Sequence, residues 1–242
     1  MRQEIVLFGG FNGDRNTYLD ETWVWAGERW ELRRPASAPQ GRTRAGFAFD
    51  ERRGRAVLFG GLNASRAFSD VWEWDGEQWV FIDAQTRPTA RFGVAMTYDS
   101  VLGQTLLFGG VGQPGGPPLG DTWTWDGAAW QQLSPDTAPS PRHGSALAFD
   151  PDSERSILFG GFNGVFGVQD TWIFQGGTWS EPGSSVRSPD PRGTTCLGLR
   201  RPGATTRPLR WLSRAARRFR SGHVGVRWRR LEPRRQHRPG PT

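Results

Sequence analysis

A chain of 242 residues with thirty-three glycines, eighteen prolines and thirteen tryptophans but no lysine is turn-rich. Its core has to come from aromatic and β-branched side chains, so an all-β fold is expected and a bundle of long aliphatic helices is excluded. The net charge of +7 hides two opposed parts: residues 198–242 carry fourteen arginines against one acid, Glu232, which leaves residues 1–197 acidic, with 17 arginines against 23 acids.

A single cysteine, Cys196, excludes an internal disulfide framework and a cysteine-rich metal site. No apolar run approaches the roughly 20 residues that span a bilayer, and the amino terminus has no signal-peptide segment. Neither observation fixes a compartment.

In chain order, four units begin near residues 4, 55, 104 and 155. Each opens on an aliphatic-Phe-Gly-Gly segment: VLFGG at 6–10 and 57–61, LLFGG at 106–110, and ILFGG at 157–161. About a dozen residues later stand two tryptophans seven apart, Trp23/Trp30, Trp72/Trp79, Trp123/Trp130 and Trp172/Trp179. Pro-x-x-Arg follows, leading strands that end in aspartate: Arg42 to Asp50, Arg91 to Asp99 and Arg142 to Asp150, with a fourth beginning at Arg192. A period near 50 residues is in the range of propeller blades.

These segments have mechanical meanings. Asp75-Gly76 and Asp126-Gly127 suit both central positions of a type I′ turn, so each tryptophan pair is expected to span a tight hairpin. VLFGG is a continuous apolar run of the kind found in a strand covered on both faces. Its glycine pairs, Gly9-Gly10, Gly60-Gly61, Gly109-Gly110 and Gly160-Gly161, end that run where backbones approach closely. Four antiparallel strands per unit result. Such sheets bury both faces only by stacking on their neighbours, which a ring of blades provides. The recurrent tryptophans, together with Trp25, Trp74 and Trp125, therefore read as packing between blades rather than as sugar-stacking platforms.

With these motifs in order, residues 1–197 resemble a Kelch-repeat β-propeller of the Trp-rich bacterial type. The resemblance implies that the Arg-led strand is innermost in each blade, lining a central channel. The first unit starts directly on its second strand, so the ring is expected to be incomplete and truncated at the amino terminus. Residues 198–242 read as a tail that builds no regular blade. Shifted by one nucleotide, their back-translation restores an innermost-strand ending, a VLFGG segment and a DTWVFDGAAW hairpin in register. A one-base slip near Leu197 is expected, and no specific nucleic-acid binding is attributed to the arginines.

Chemistry is sparse. His143, His223 and His237 are the only histidines and none is paired at metal-ligand spacing. His143 reads as a structural residue, and Cys196 falls where Ala95 and Ala146 stand in other units. Asp50, Asp99 and Asp150 recur, which favours turn hydrogen bonding over catalysis. Copper radical oxidases resembling galactose oxidase need a tyrosine and histidine ligands that Tyr18, Tyr98 and three histidines do not supply. No metal, cofactor or catalytic group is assigned. The expectation is a scaffold that binds a protein or glycan through loops 11–22, 62–71, 111–122 and 162–171, which differ while the strands repeat. Candidate contact residues are Asn12, Asp14, Arg15, Tyr18, Asn63, Arg66, Phe68, Asn163 and Phe166. The competing expectation is a propeller enzyme of sialate-mutarotase-like or lyase-like type with its site at the channel mouth.

Overall fold

Seventeen strands and no helix make up residues 4–183, the part that the computed structural model describes. The fourth Arg-led strand at Arg192, Cys196, the boundary near 197 and the arginine-rich tail lie outside the described residues.

The first sheet has three strands in the order β1 (Ile5–Phe8), β4 (Thr22–Trp25) and β5 (Trp30–Arg33). Between β1 and β4 stands a separate short hairpin of β2 (Phe11–Asn12) and β3 (Thr17–Tyr18). Three four-stranded sheets follow, each antiparallel and in sequence order. They are β6 (Gly46–Asp50), β7 (Arg55–Phe59), β8 (Val71–Trp74) and β9 (Trp79–Ile82); β10 (Ala95–Asp99), β11 (Gln104–Val111), β12 (Pro118–Trp125) and β13 (Trp130–Leu133); and β14 (Ala146–Asp150), β15 (Arg155–Phe159), β16 (Thr171–Gln175) and β17 (Thr178–Ser180). These are the blades of a Kelch-type propeller, and the first lacks an innermost strand among the described residues.

Burial follows the repeat. Along β7, Ala56, Val57, Leu58 and Phe59 are all buried, as a strand covered on both faces requires. Alternate residues serve opposite neighbours. Ala56 and Leu58 join a cluster with Val24 of the first sheet, whereas Val57 and Phe59 join one with Trp125 and Trp130 of the third.

The outer tryptophan of each pair carries the inter-blade contact. Trp79 meets Phe8 edge-on with ring centroids 5.1 Å apart, Trp130 meets Phe59 at 5.1 Å and Trp179 meets Phe108 at 5.4 Å. Each phenylalanine belongs to the aliphatic-Phe-Gly-Gly strand of the preceding blade. Such pairs contribute about 0.5–1.5 kcal/mol beyond the area they bury. Trp74 and Trp125 are also buried, each beside the outer tryptophan of its own hairpin.

Hairpin geometry differs from the expectation in two blades. Asp75 and Asp126 are not the first residues of type I′ turns: only Gly76 and Gly127 have positive φ, and the loops contain four residues. Asp75 Oδ1 accepts the Glu77 and Gln78 N–H groups at 2.9 and 2.7 Å, so the carboxylate caps the loop from its start. The two-residue turn with both central φ positive occurs in the fourth blade, at Gly176-Gly177.

Candidate interaction surface

The loops joining second to third strands are held by one repeated device. Arg42, Arg91 and Arg142 are buried, and each donates through two guanidinium nitrogens to an aspartate of its own blade, just ahead of the third strand in the second and fourth blades and within it in the third. The partners are Asp70, Asp121 and Asp170, with Nη2–Oδ2 distances of 2.8, 2.9 and 2.7 Å. Each Nη1 also donates to the first glycine carbonyl of the Gly-Gly pair, at Gly60, Gly109 and Gly160. The same aspartates accept the indole N–H of Trp72, Trp123 and Trp172. In the first blade Glu21 accepts from Trp23 at 2.8 Å.

The backbone of each arginine binds the preceding blade. Arg91 N–H donates to Phe68 O at 2.9 Å, and Arg91 O accepts from Gly61 N–H at 2.9 Å; Arg42 and Arg142 repeat both bonds. This closeness explains the first glycine: a Cβ on Gly60 would lie 2.5 Å from Arg91 O, at φ +66°.

Electrostatics favour the ionised pairs. Burial, the largest single influence, would raise the carboxyls of Asp70, Asp121 and Asp170, but the hydrogen bonds and charge of the guanidinium, together with the indole and backbone N–H bonds, outweigh it and hold all three below the ordinary carboxylate range. A second buried group joins Arg53 to Asp50 Oδ2 at 2.6 Å and Glu73 Oε2 at 2.9 Å, and Glu73 Oε1 accepts Trp125 Nε1 across the blade boundary at 2.9 Å. Asp50, Asp99 and Asp150 each accept backbone N–H groups of the following turn, the structural role expected of them.

Against this frame the candidate contact residues separate into two groups. Asn12, Asn63 and Asn163 are turn residues: Asn63 Oδ1 accepts Ser65 and Arg66 N–H groups, Asn163 Oδ1 accepts those of Val165 and Phe166, and Asn12 Oδ1 accepts that of Arg15. Phe68 is a correction. It is 4% exposed, with the Arg42 guanidinium 3.8 Å and the Arg66 guanidinium 5.0 Å from its ring centre, so it belongs to the packing beneath the loop. Tyr18 is half-buried against Phe11, with ring centroids 4.9 Å apart.

Asp14, Arg15, Arg66 and Phe166 are exposed, and Phe166 with its neighbour Val165 forms the most apolar tip, at 60% and 80% exposure. Neighbouring loops adjoin. Tyr18 O lies against Gly41, Arg66 donates to Gln40 Oε1 at 3.3 Å, and Gly164 faces Pro118 at the start of β12 in the third blade. Asp14 and Arg15 stand on the first blade and Phe166 on the fourth, with two blades between them.

One residue of this face was missed in sequence. Arg44 adopts a left-handed conformation, φ +55°, at the position that Gly93 and Gly144 occupy in the next units, at φ +66° and +68°. These three form a backbone relay beside the innermost strands: Gly93 N–H donates to Arg44 O and Gly144 N–H to Gly93 O, both at 2.8 Å. The Arg44 side chain is exposed. Half-buried His143 has its pKa lowered by burial and then by the charge of Arg44, and its ring leans on Phe162 at 5.6 Å. Lining up the residues two after Arg42, Arg91 and Arg142 would have singled out Arg44.

Among the described residues no group of three or more His, Cys, Asp or Glu is placed to hold a metal, and no helix is long and apolar enough to cross a membrane. No curated protein matches the chain. The family model described as the KLHDC2/KLHL20/DRC7 Kelch-repeats domain matches residues 1–200. Repeated four-stranded antiparallel blades, stapled by the same buried arginine and matched along that length, lead to one conclusion: the chain belongs to this Kelch-repeat family.

Proposed function

We propose that the chain binds a segment of another protein across the face built by its second-to-third-strand loops, without catalysing a reaction. The Kelch-repeat domain is in general a scaffold for protein interaction. The observation that carries the finer reading is the contrast between fixed loop bases and varied loop tips. The same arginine–aspartate pair anchors the loops of the second, third and fourth blades, yet they expose Arg66, a Gln113-Pro114 tip and Val165-Phe166. Rigid scaffolds present recognition residues in this way. Arg44 supports the same face, because a non-glycine residue in the left-handed region carries backbone strain that clusters at functional positions. A binding role without catalysis also fits the use of Asp50, Asp99 and Asp150 as turn acceptors.

The test uses a phage-displayed random peptide library panned on the full chain. Selected peptides are expected to lose at least tenfold in affinity on Phe166→Asp, Arg66→Glu or Arg44→Gly variants whose circular dichroism is unchanged. Peptides that bind the triple variant as well as the parent would overturn the assignment to this face.

A further inference from the structure

All four asparagines of the chain stand in second-to-third-strand loops, and two of them precede glycine: Asn12-Gly13 and Asn163-Gly164. Asn16 precedes Thr17 and Asn63 precedes Ala64. An asparagine can be attacked by the amide nitrogen of the residue that follows it. That nitrogen reaches the side-chain carbonyl carbon most easily where the following residue has no Cβ.

The loop of the fourth blade adds a second feature. Asn163 Oδ1 accepts the Val165 and Phe166 N–H groups, both at 3.0 Å. When a nucleophile adds to Asn163 Cγ, negative charge collects on that oxygen, and two donors already aimed at it stabilise the tetrahedral intermediate. Gly164 is exposed, so solvent base reaches its amide. The other loops each hold one of these features without the other. Asn12 has the glycine, but among the described residues a single donor, Arg15 N–H at 3.1 Å. Asn63 has both donors, Ser65 and Arg66 N–H at 2.9 and 3.1 Å, but is followed by alanine.

The geometry points to Asn163 as a site of spontaneous covalent modification, where Gly164 N closes a succinimide that water opens to aspartate or isoaspartate. Gly164 N gives its proton to solvent base and bonds to Asn163 Cγ. The Cγ–Nδ2 bond breaks, and Nδ2 takes a proton from water and leaves as ammonia. Water then adds to either ring carbonyl. Breaking the bond from Gly164 N to Cγ yields aspartate; breaking its bond to the Asn163 backbone carbonyl carbon yields isoaspartate. Nothing is oxidised or reduced, and water is the only co-reactant. Isoaspartate lengthens the main chain by a methylene and moves the carboxylate away from the Val165 and Phe166 N–H groups, so the exposed apolar tip is re-aimed. On the loop-face function proposed above, on which this last consequence alone rests, the converted protein binds its peptides more weakly.

The experiment ages the folded full chain in mildly alkaline buffer, digests samples under acidic conditions, and maps deamidation and isoaspartate by mass spectrometry. Asn163 is expected to convert about fivefold faster than Asn12, the effect of one further hydrogen bond on the intermediate. Asn63 is expected to stay intact in the parent and to convert at the rate of Asn163 in an Ala64→Gly variant. Conversion of Asn12 that equals or outpaces that of Asn163, or an Asn63 that Ala64→Gly leaves unreactive, would overturn the inference. Aged protein is expected to lose affinity for the selected peptides in proportion to its isoaspartate; full affinity after conversion would overturn the re-aiming of the tip. Failure of the loop-face function itself shows differently, as a library that yields no peptide while the mapping result stands.

Discussion

Trp79 donates its indole N–H to Thr22 Oγ1 across the boundary between the first and second blades, at 2.8 Å, and Trp179 makes the equivalent bond to Thr122 at 2.9 Å. Between the second and third blades the threonine position is Val71, and the buried Trp130 Nε1 has no partner. A buried unpaired donor costs about 1–3 kcal/mol. Val71→Thr, close in volume, is expected to stabilise the protein by about 1 kcal/mol, and Thr22→Val to destabilise it by about the same amount. Urea denaturation reads both; a Val71→Thr variant with a lower midpoint than the parent would contradict this account. The same comparison explains Trp74 Nε1, also unpaired, because Val24 stands where Glu73 accepts from Trp125.

Arg44→Gly relieves the left-handed strain at a position where the next two units use glycine. An L-residue in that conformation costs about 1–2 kcal/mol, partly offset by the greater unfolded-state freedom of glycine. The expected net gain is about 0.5–1 kcal/mol in thermal unfolding, together with the loss of peptide binding. Stabilisation with binding intact would separate Arg44 from the interaction face.

Asp70, Asp121 and Asp170 have depressed folded-state pKa values, so their contribution to stability is fully present above the unfolded carboxylate value, about 4. It is lost as pH falls through their lower folded values. Stability is expected to vary little with these groups above about pH 5 and to drop steeply below about pH 4. Asp121→Asn should lower the neutral plateau by about 3 kcal/mol, since it leaves buried Arg91 without its counter-ion, and should flatten the acid drop. An unchanged acid slope in denaturant titrations from pH 2 to 7 would count against the assignment.

Two loop phenylalanines give opposite expectations. Phe68→Ala removes a buried ring under Arg42 and is expected to destabilise by about 3 kcal/mol. Phe166→Ala, at an exposed tip, should change stability by less than about 0.5 kcal/mol. Calorimetry of both variants checks the pair.

The strands were legible in sequence because a run such as VLFGG repeats at one spacing and its burial is imposed by neighbours of the same kind. The hairpins were less so, since Asp-Gly marks both the centre of a two-residue turn and the start of a capped four-residue loop, and only backbone φ distinguishes them. The loop residues divided similarly. Asn63 and Asn163 looked like ligand groups because their backbone acceptor role involves residues only two and three ahead. Phe68 was misread by treating its loop alone: Leu19, Leu119 and Val168 hold the same place before Glu21, Asp121 and Asp170, an apolar column that marks packing. Arg42, Arg91 and Arg142 were seen as strand markers, but their partners lie 28 to 30 residues away and only the fold brings them together.

An arginine whose guanidinium grips its own sheet while its amide and carbonyl grip the sheet before it makes the two impossible to melt separately. Removing one sheet would strip a charged group of its counter-ion and reopen backbone bonds in its neighbour at the same moment. Heat should therefore carry residues 4–183 through one sharp transition, with equal calorimetric and van't Hoff enthalpies, rather than the graded fraying of arrays joined by apolar contact alone.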